Sequence, residues 1–229
     1  MADLNPLIVA LDVENSAQAL SLVDQLAETI DFYKVGMELF AAEGMPIVEQ
    51  ILKRDKKVFL DLKYYDIGET VKRAVACVAA SGVHFLTVHG SPAIMRAAVH
   101  GRGNSRLKIL GVTVLTSWDD HDLKEMGYAL SMNQLVENCV KAGVSANIDG
   151  FICSALEVAR VRQFTGPHSI LVTPGVRSRG AAAGDQKRVA TPAEAIAAGA
   201  SYLVIGRQIT RAENPRAAAL DVLQHLKSP

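Results

Sequence analysis

Apolar residues along this chain gather in short unbroken runs rather than in alternating ones. Such runs occupy residues 7–13, 32–36, 58–63, 85–89, 109–115, 150–154, 170–174 and 203–206. Continuous Val-, Ile- and Leu-rich segments of this length predict strands covered on both faces, as in a parallel sheet. Between them lie Ala-, Leu- and Val-rich stretches of helical length at 16–29, 46–54, 69–81, 92–100, 134–142, 155–164, 192–198 and 215–226. Ser16, Ser91, Ser154, Thr191 and Asn214 stand where N-caps are expected, and Pro92, Pro192 and Pro215 take the first helical position after three of them. Gly82, Gly143 and Gly199 are read as helix ends. Eight βα repeats in 229 residues, without a linker or a break in composition, predict one domain over residues 1–229 with an α/β, (β/α)8 TIM-barrel fold. An open doubly wound sheet is the weaker alternative, because no G-x-G-x-x-G follows the first strand. Residues 177–190 form the longest polar, glycine-containing connection, a length that is usually functional.

Composition narrows the class. With 49% hydrophobic and 21% charged residues the body of the chain is expected to fold. Lys plus Arg and Asp plus Glu number 24 each, and no basic block stands out, which argues against a nucleic-acid or anionic-membrane partner. No run approaches the ~18 uncharged apolar residues of a membrane span. The first residues lack the basic-then-apolar pattern of a secretory signal. Cys77, Cys139 and Cys153 are scattered and never paired as CxxC, so they read as small apolar residues in a reducing compartment, and a cytoplasmic location is expected.

In such a barrel, function sits at the C-terminal strand ends. Read in order, these carry Asp12, Lys34, Asp61 with Lys63, His89, Thr116, Ser154, Arg177 and Arg207. Any one of them can be an ordinary solvated or salt-bridged charge, but so many at one rim of an otherwise apolar set of strands point to a site. The run Asp61-Leu62-Lys63-Tyr64-Tyr65-Asp66 says most. Residues two apart on a strand share a face, so Asp61 and Lys63 project together, with Asp66 just beyond. Carboxylates around an ammonium keep it charged and fixed. His89 reads as structural, since no second histidine or carboxylate is placed to make a ligand pair, and no metal site is expected.

These residues and their surroundings resemble the orotidine 5′-phosphate decarboxylase family over nearly the whole chain. The likeness runs through Val9-Ala10-Leu11-Asp12, Tyr33-Lys34-Val35-Gly36, Asp61 to Ile67, and Thr113-Val114-Leu115-Thr116-Ser117. It continues in Thr173-Pro174-Gly175-Val176-Arg177, Gly184-Asp185-Gln186 and Val204-Ile205-Gly206-Arg207. The Asp-x-Lys-x-x-Asp motif alone marks a wider barrel group that includes metal-dependent sugar-phosphate decarboxylases and hexulose-phosphate synthases, which remain the alternative. Those relatives typically carry glutamate where this chain has Lys34, and Lys34 with Gln186 narrows the match. One departure is Gly68-Glu69-Thr70, where bacterial members usually have Pro-Asn-Thr.

The resemblance implies conversion of orotidine 5′-phosphate to uridine 5′-phosphate without a cofactor, in a homodimer. It implies one charge array of Lys34, Asp61, Lys63 and an Asp66 contributed across the interface. It places Asp12 on a ribose hydroxyl with Lys34 and Thr70 nearby, and Thr116 on the pyrimidine. Arg177, Gly206 and Arg207 would hold the phosphate, with Gln186 reaching across it from the long loop.

Overall fold

The structure, a computed structural model, describes residues 5–177 and 190–227. In chain order its elements are β1 (Leu7–Ala10), α1 (Ser16–Leu26) with a 3-10 turn (Ala27–Thr29), β2 (Phe32–Gly36), α2 (Met37–Glu43), α3 (Met45–Leu52), β3 (Lys57–Tyr64) and α4 (Gly68–Ala79). There follow β4 (Phe85–His89), α5 (Pro92–Arg102), β5 (Lys108–Val112), α6 (Asp120–Glu125), α7 (Met132–Ser145), β6 (Gly150–Ile152) and α8 (Val158–Thr165). The last are β7 (Ile170–Thr173), α9 (Pro192–Ala197), β8 (Tyr202–Ile205), α10 (Arg207–Thr210) and α11 (Pro215–Lys227). The strands pair in parallel, each with the next and β8 with β1, and so close a (β/α)8 barrel.

Closure explains the unbroken apolar runs. Alternate residues face the axis, where Ile8 and Ala10, Phe32, Phe59, Phe85, Leu110 and Val112, Ile152, Val172 and Val204 form an inner core. The residues between them, such as Leu7 and Val9, Tyr33 and Val35, Leu60, Leu86 and Val88, pack outward against the helices in a second core. The helices answer with one apolar stripe each: α4 buries Val71, Val75 and Val78, and α7 buries Met132, Val136 and Val140. At the N-terminal end of the barrel the rings of Phe32, Phe85 and Tyr202 meet edge to face with centroids 4.8–5.7 Å apart and make its floor.

Several local readings are corrected. The N-cap of α1 is Asn15, whose side chain accepts the Gln18 N–H at 3.0 Å, and Ser16 is the first helical residue. Ser154 caps nothing; its own amide donates to Glu157 Oε2. Thr191 does cap, in a capping box with Glu194, and Asn214 accepts the Ala217 N–H. Gly143 lies inside α7 rather than at its end, and glycine stands there because a Cβ would meet the Phe151 ring at 2.5 Å. Among the described residues no helix is long and apolar enough to cross a membrane.

Candidate active site

The parity that fills the barrel also builds its mouth. Two residues beyond the inward-facing Ala10, Phe32, Phe59, Phe85 and Val204 come Asp12, Lys34, Asp61, Thr87 and Gly206. The top layer of the interior is therefore polar where the layers beneath are not. It opens into a cavity of about 300 Å³ lined by Asp12, Lys34, Asp61, Lys63, Thr116, Arg177, Gly206 and Arg207, with Val112, Val114, Ile152 and Val204 as apolar wall.

Four charges form a line across this mouth. Asp12 Oδ1 lies 2.8 Å from Lys34 Nζ, Lys34 Nζ lies 3.8 Å from Asp61 Oδ2, and Asp61 Oδ1 lies 2.9 Å from Lys63 Nζ. Signs alternate, so each interior ion has an opposite neighbour, which offsets part of the cost of removing it from water. Burial pushes the Asp61 carboxyl up. The charges of Lys34 and Lys63, with hydrogen bonds from Lys63 and Thr87, outweigh that and hold it below the ordinary carboxylate range. Asp61 is thus an anion at neutral pH although its side chain is only 18% exposed.

Lys63 reaches this position through an irregular backbone. The register between β3 and β4 shifts between Leu60 and Tyr64, and Lys63 sits at φ 48°, a left-handed conformation that costs a non-glycine residue on the order of 1–3 kcal/mol. Its N–H leaves the ladder and donates to Thr87 Oγ1 at 2.9 Å, while that hydroxyl donates to Asp61 Oδ1 at 3.0 Å. Thr87 is fully buried. It is not among the residues expected from the sequence, where a β-branched residue within a strand fits the strand for its own sake.

The remaining candidates divide. Arg177 donates from Nη1 to the Val176 carbonyl, and its amide donates to the Ala190 carbonyl, which ties together the two ends of the long connection. Arg207 opens α10 directly after Gly206. Asp66 and Thr70 do not line the cavity: Asp66 is exposed beyond β3, with Oδ1 accepting the Ile67 N–H, and Thr70 lies in the first turn of α4. Gln186 lies outside the described residues. His89 accepts the Ser91 N–H on Nδ1, stacks on Tyr65 at 4.1 Å, and has its imidazole pushed down by burial, all in keeping with a structural role. Asp119, His121 and Asp122 approach one another within 4.8 Å, but both carboxylates already accept backbone N–H groups in the capping box of α6.

The family model described as orotidine 5′-phosphate decarboxylase / HUMPS matches residues 5–222. The chain belongs to this family. A protein of Rhodopseudomonas palustris (strain HaA2) named orotidine 5′-phosphate decarboxylase is 51% identical over 218 residues, covering 95% of this chain and 93% of the relative. One of the same name from Methylobacterium nodulans is 49% identical over 223 residues, covering 96% of this chain and 94% of the relative. Among solved structures, the orotidine 5′-phosphate decarboxylase of Lactobacillus acidophilus superposes with a TM-score of 0.85 at 35% identity, covering 97% of this chain and 99% of that one. An uncharacterized conserved protein from Geobacillus kaustophilus superposes at 0.83 with 32% identity, covering 96% and 100%. For a member of the orotidine 5′-phosphate decarboxylase / HUMPS family, Lys34 is the informative residue. Its ammonium lies between Asp12 and Asp61, so a divalent cation bridging those carboxylates would meet a like charge. That disfavours the sugar-phosphate alternative.

Proposed function

We propose that this protein is a carboxy-lyase that converts orotidine 5′-phosphate to uridine 5′-phosphate and carbon dioxide, a step of pyrimidine biosynthesis. The observation that carries the reading is the alternating Asp12–Lys34–Asp61–Lys63 line at the barrel mouth. In the reaction the bond from the ring carbon to the carboxylate breaks and both electrons stay on that carbon. Carbon dioxide leaves, and Lys63 transfers an ammonium proton to the carbon. The ring cannot readily delocalise the pair, so fixed charge must stabilise it. Lys63 faces the developing carbanion. Asp61 fixes Lys63 and abuts the departing carboxylate, a contact worse in the ground state than in the transition state.

The barrier to be removed lies near the upper end of roughly 8–23 kcal/mol, so binding energy from the rest of the nucleotide must contribute. In this reading Asp12 holds a ribose hydroxyl beside Lys34 and Thr70, Thr116 meets the pyrimidine, and Arg177, Gln186, Gly206 and Arg207 take the phosphate. Two copies pair through the C-terminal rim, so that Asp66 of each completes the site of the other. Met37 at the start of α2, and Tyr65 and Ile67 on the connection after β3, are 63–73% exposed and give that rim an apolar surface. The proposed cytoplasmic location rests on three scattered cysteines, none of them in a CxxC pair.

The direct test is to incubate the protein with orotidine 5′-phosphate and follow the pyrimidine absorbance. A linear loss proportional to enzyme is expected, and no turnover by pure protein sinks the reading.

Two substitutions probe its parts. A Cβ at Gly36 would lie 2.8 Å from Lys34 Nζ and 3.0 Å from Asp12 Oδ1, so the space beside Gly36 is what admits that ion pair. Gly36→Ala is expected to fold, since the end of a lysine can swing aside, yet to lose on the order of 10²-fold in kcat/KM through misplacement. Wild-type kinetics in a folded variant would show that the pair tolerates displacement. Arg207→Ala is expected to cost about 3–6 kcal/mol in transition-state terms, two charge-assisted hydrogen bonds, with the phosphorylated substrate and much less with orotidine itself. An equal loss on both substrates would remove Arg207 from the phosphate site.

A further inference from the structure

We infer that Thr87 is a positioning residue for Lys63 and Asp61, holding the proton donor and its counter-ion in register through one buried hydroxyl. The inference rests on the proposed decarboxylation and adds a residue to its machinery. A threonine hydroxyl has one proton to give and lone pairs to receive, so Thr87 can serve both neighbours at once. It accepts the Lys63 backbone N–H at 2.9 Å and donates to Asp61 Oδ1 at 3.0 Å. The same Asp61 Oδ1 receives Lys63 Nζ at 2.9 Å. Lys63 is thereby gripped at both ends: the main chain by Thr87 directly, the ammonium by an oxygen that Thr87 orients.

The grip is needed at this point. The β3–β4 register breaks between Leu60 and Tyr64, so Lys63 has no regular ladder partner, and its φ of 48° is not a resting conformation for a residue with a side chain. Thr87 supplies from a side chain what the ladder does not supply from the backbone. Its β-branched Cβ restricts χ1, and full burial leaves the hydroxyl no water to turn to. The groups facing Asp61 are Lys34 from β2, with Asp12 of the first strand's end behind it, Lys63 from β3 itself, and Thr87 from β4. Of these only Thr87 is uncharged, so removing its hydroxyl changes alignment and two hydrogen bonds while leaving the charges in place.

Thr87→Val keeps the shape and removes the hydroxyl; Thr87→Ser keeps the hydroxyl. Both are compared with wild type for kcat, KM and the pH profile with orotidine 5′-phosphate, and for thermal melting. Thr87→Val is expected to lower kcat by on the order of 10²-fold with KM changed far less, because binding groups at the ribose and phosphate are untouched. The acidic limb of its kcat/KM profile is expected at higher pH, since Asp61 loses a hydrogen bond that favours its anion. Thr87→Ser is expected to restore most of kcat. Thr87→Ala replaces the valine variant in the comparison if that one does not fold. A hydroxyl-free variant with wild-type kcat and acidic limb overturns the inference, and so does a serine variant as impaired as the valine one. Absence of turnover in the wild type would instead defeat the decarboxylase reading on which it rests.

Discussion

Lys63→Ala abolishes turnover of orotidine 5′-phosphate while the protein keeps its fold and its affinity for uridine 5′-phosphate. The expected loss exceeds about 10⁴-fold, because two contributions go together. Removing a positioned general acid alone costs roughly 10²–10⁴-fold, and the same ammonium is the nearest fixed positive charge to the carbanion. The fold survives for identifiable reasons. Alanine meets the same left-handed backbone requirement as lysine, the Thr87 bond to the residue 63 N–H remains, and Lys34 still faces Asp61 at 3.8 Å. Single-turnover absorbance measurements, titration calorimetry with the product nucleotide and circular dichroism check the three parts. More than a few per cent of wild-type activity would remove Lys63 from the role of proton donor.

The second large effect is a recovery. Lys63→Ala and Asp66→Ala are each expected to be inactive alone, yet to regain about a quarter of wild-type activity when mixed in equal amounts and allowed to exchange subunits. Asp66 stands on the surface past the end of β3 and outside the cavity that Lys63 lines, although the two are three residues apart. In the two-fold dimer proposed above, each Asp66 would serve the opposite barrel. Random exchange makes half the dimers mixed, and in each of these one site carries both lesions while the other carries neither. Activity assays before and after exchange, with exchange itself followed by mass spectrometry of tagged subunits, check the figure. Exchange without recovery would place Asp66 in its own subunit's site.

Much of the barrel was legible because closure imposes a simple rule on composition. Strands covered on both faces must be apolar throughout, so β2 and β4 are found at the boundaries expected of them. The same rule overextends at the mouth. Residues 113–115 continue the apolar run of β5, but β5 ends at Val112, and Val114 is buried as wall of the cavity rather than as strand. Burial, which the pattern reports, is not pairing, which it does not. The short α2 and α6 escaped for a related reason: each offers about two turns or fewer, too little for a 3.6-residue stripe to declare itself. At the site, the charged residues were legible as a set, because a single charge at a strand end has ordinary explanations and so many at one rim do not. Thr87 was not, since a lone β-branched residue within a strand fits the strand for its own sake. Only the broken register of β3, a property of two strands together, makes its hydroxyl informative.

The ring-closed floor of the barrel gives the enzyme a single doorway. Phe32, Phe85 and Tyr202 shut the lower end, and the side chains stacked above them fill the axis as packed core rather than as a passage. In the proposed reaction, nucleotide and carbon dioxide therefore share one route. Product must leave by the way substrate came, so departure and entry compete for one opening, and the rate of departure is a ceiling on kcat that no improvement in the chemical step can raise.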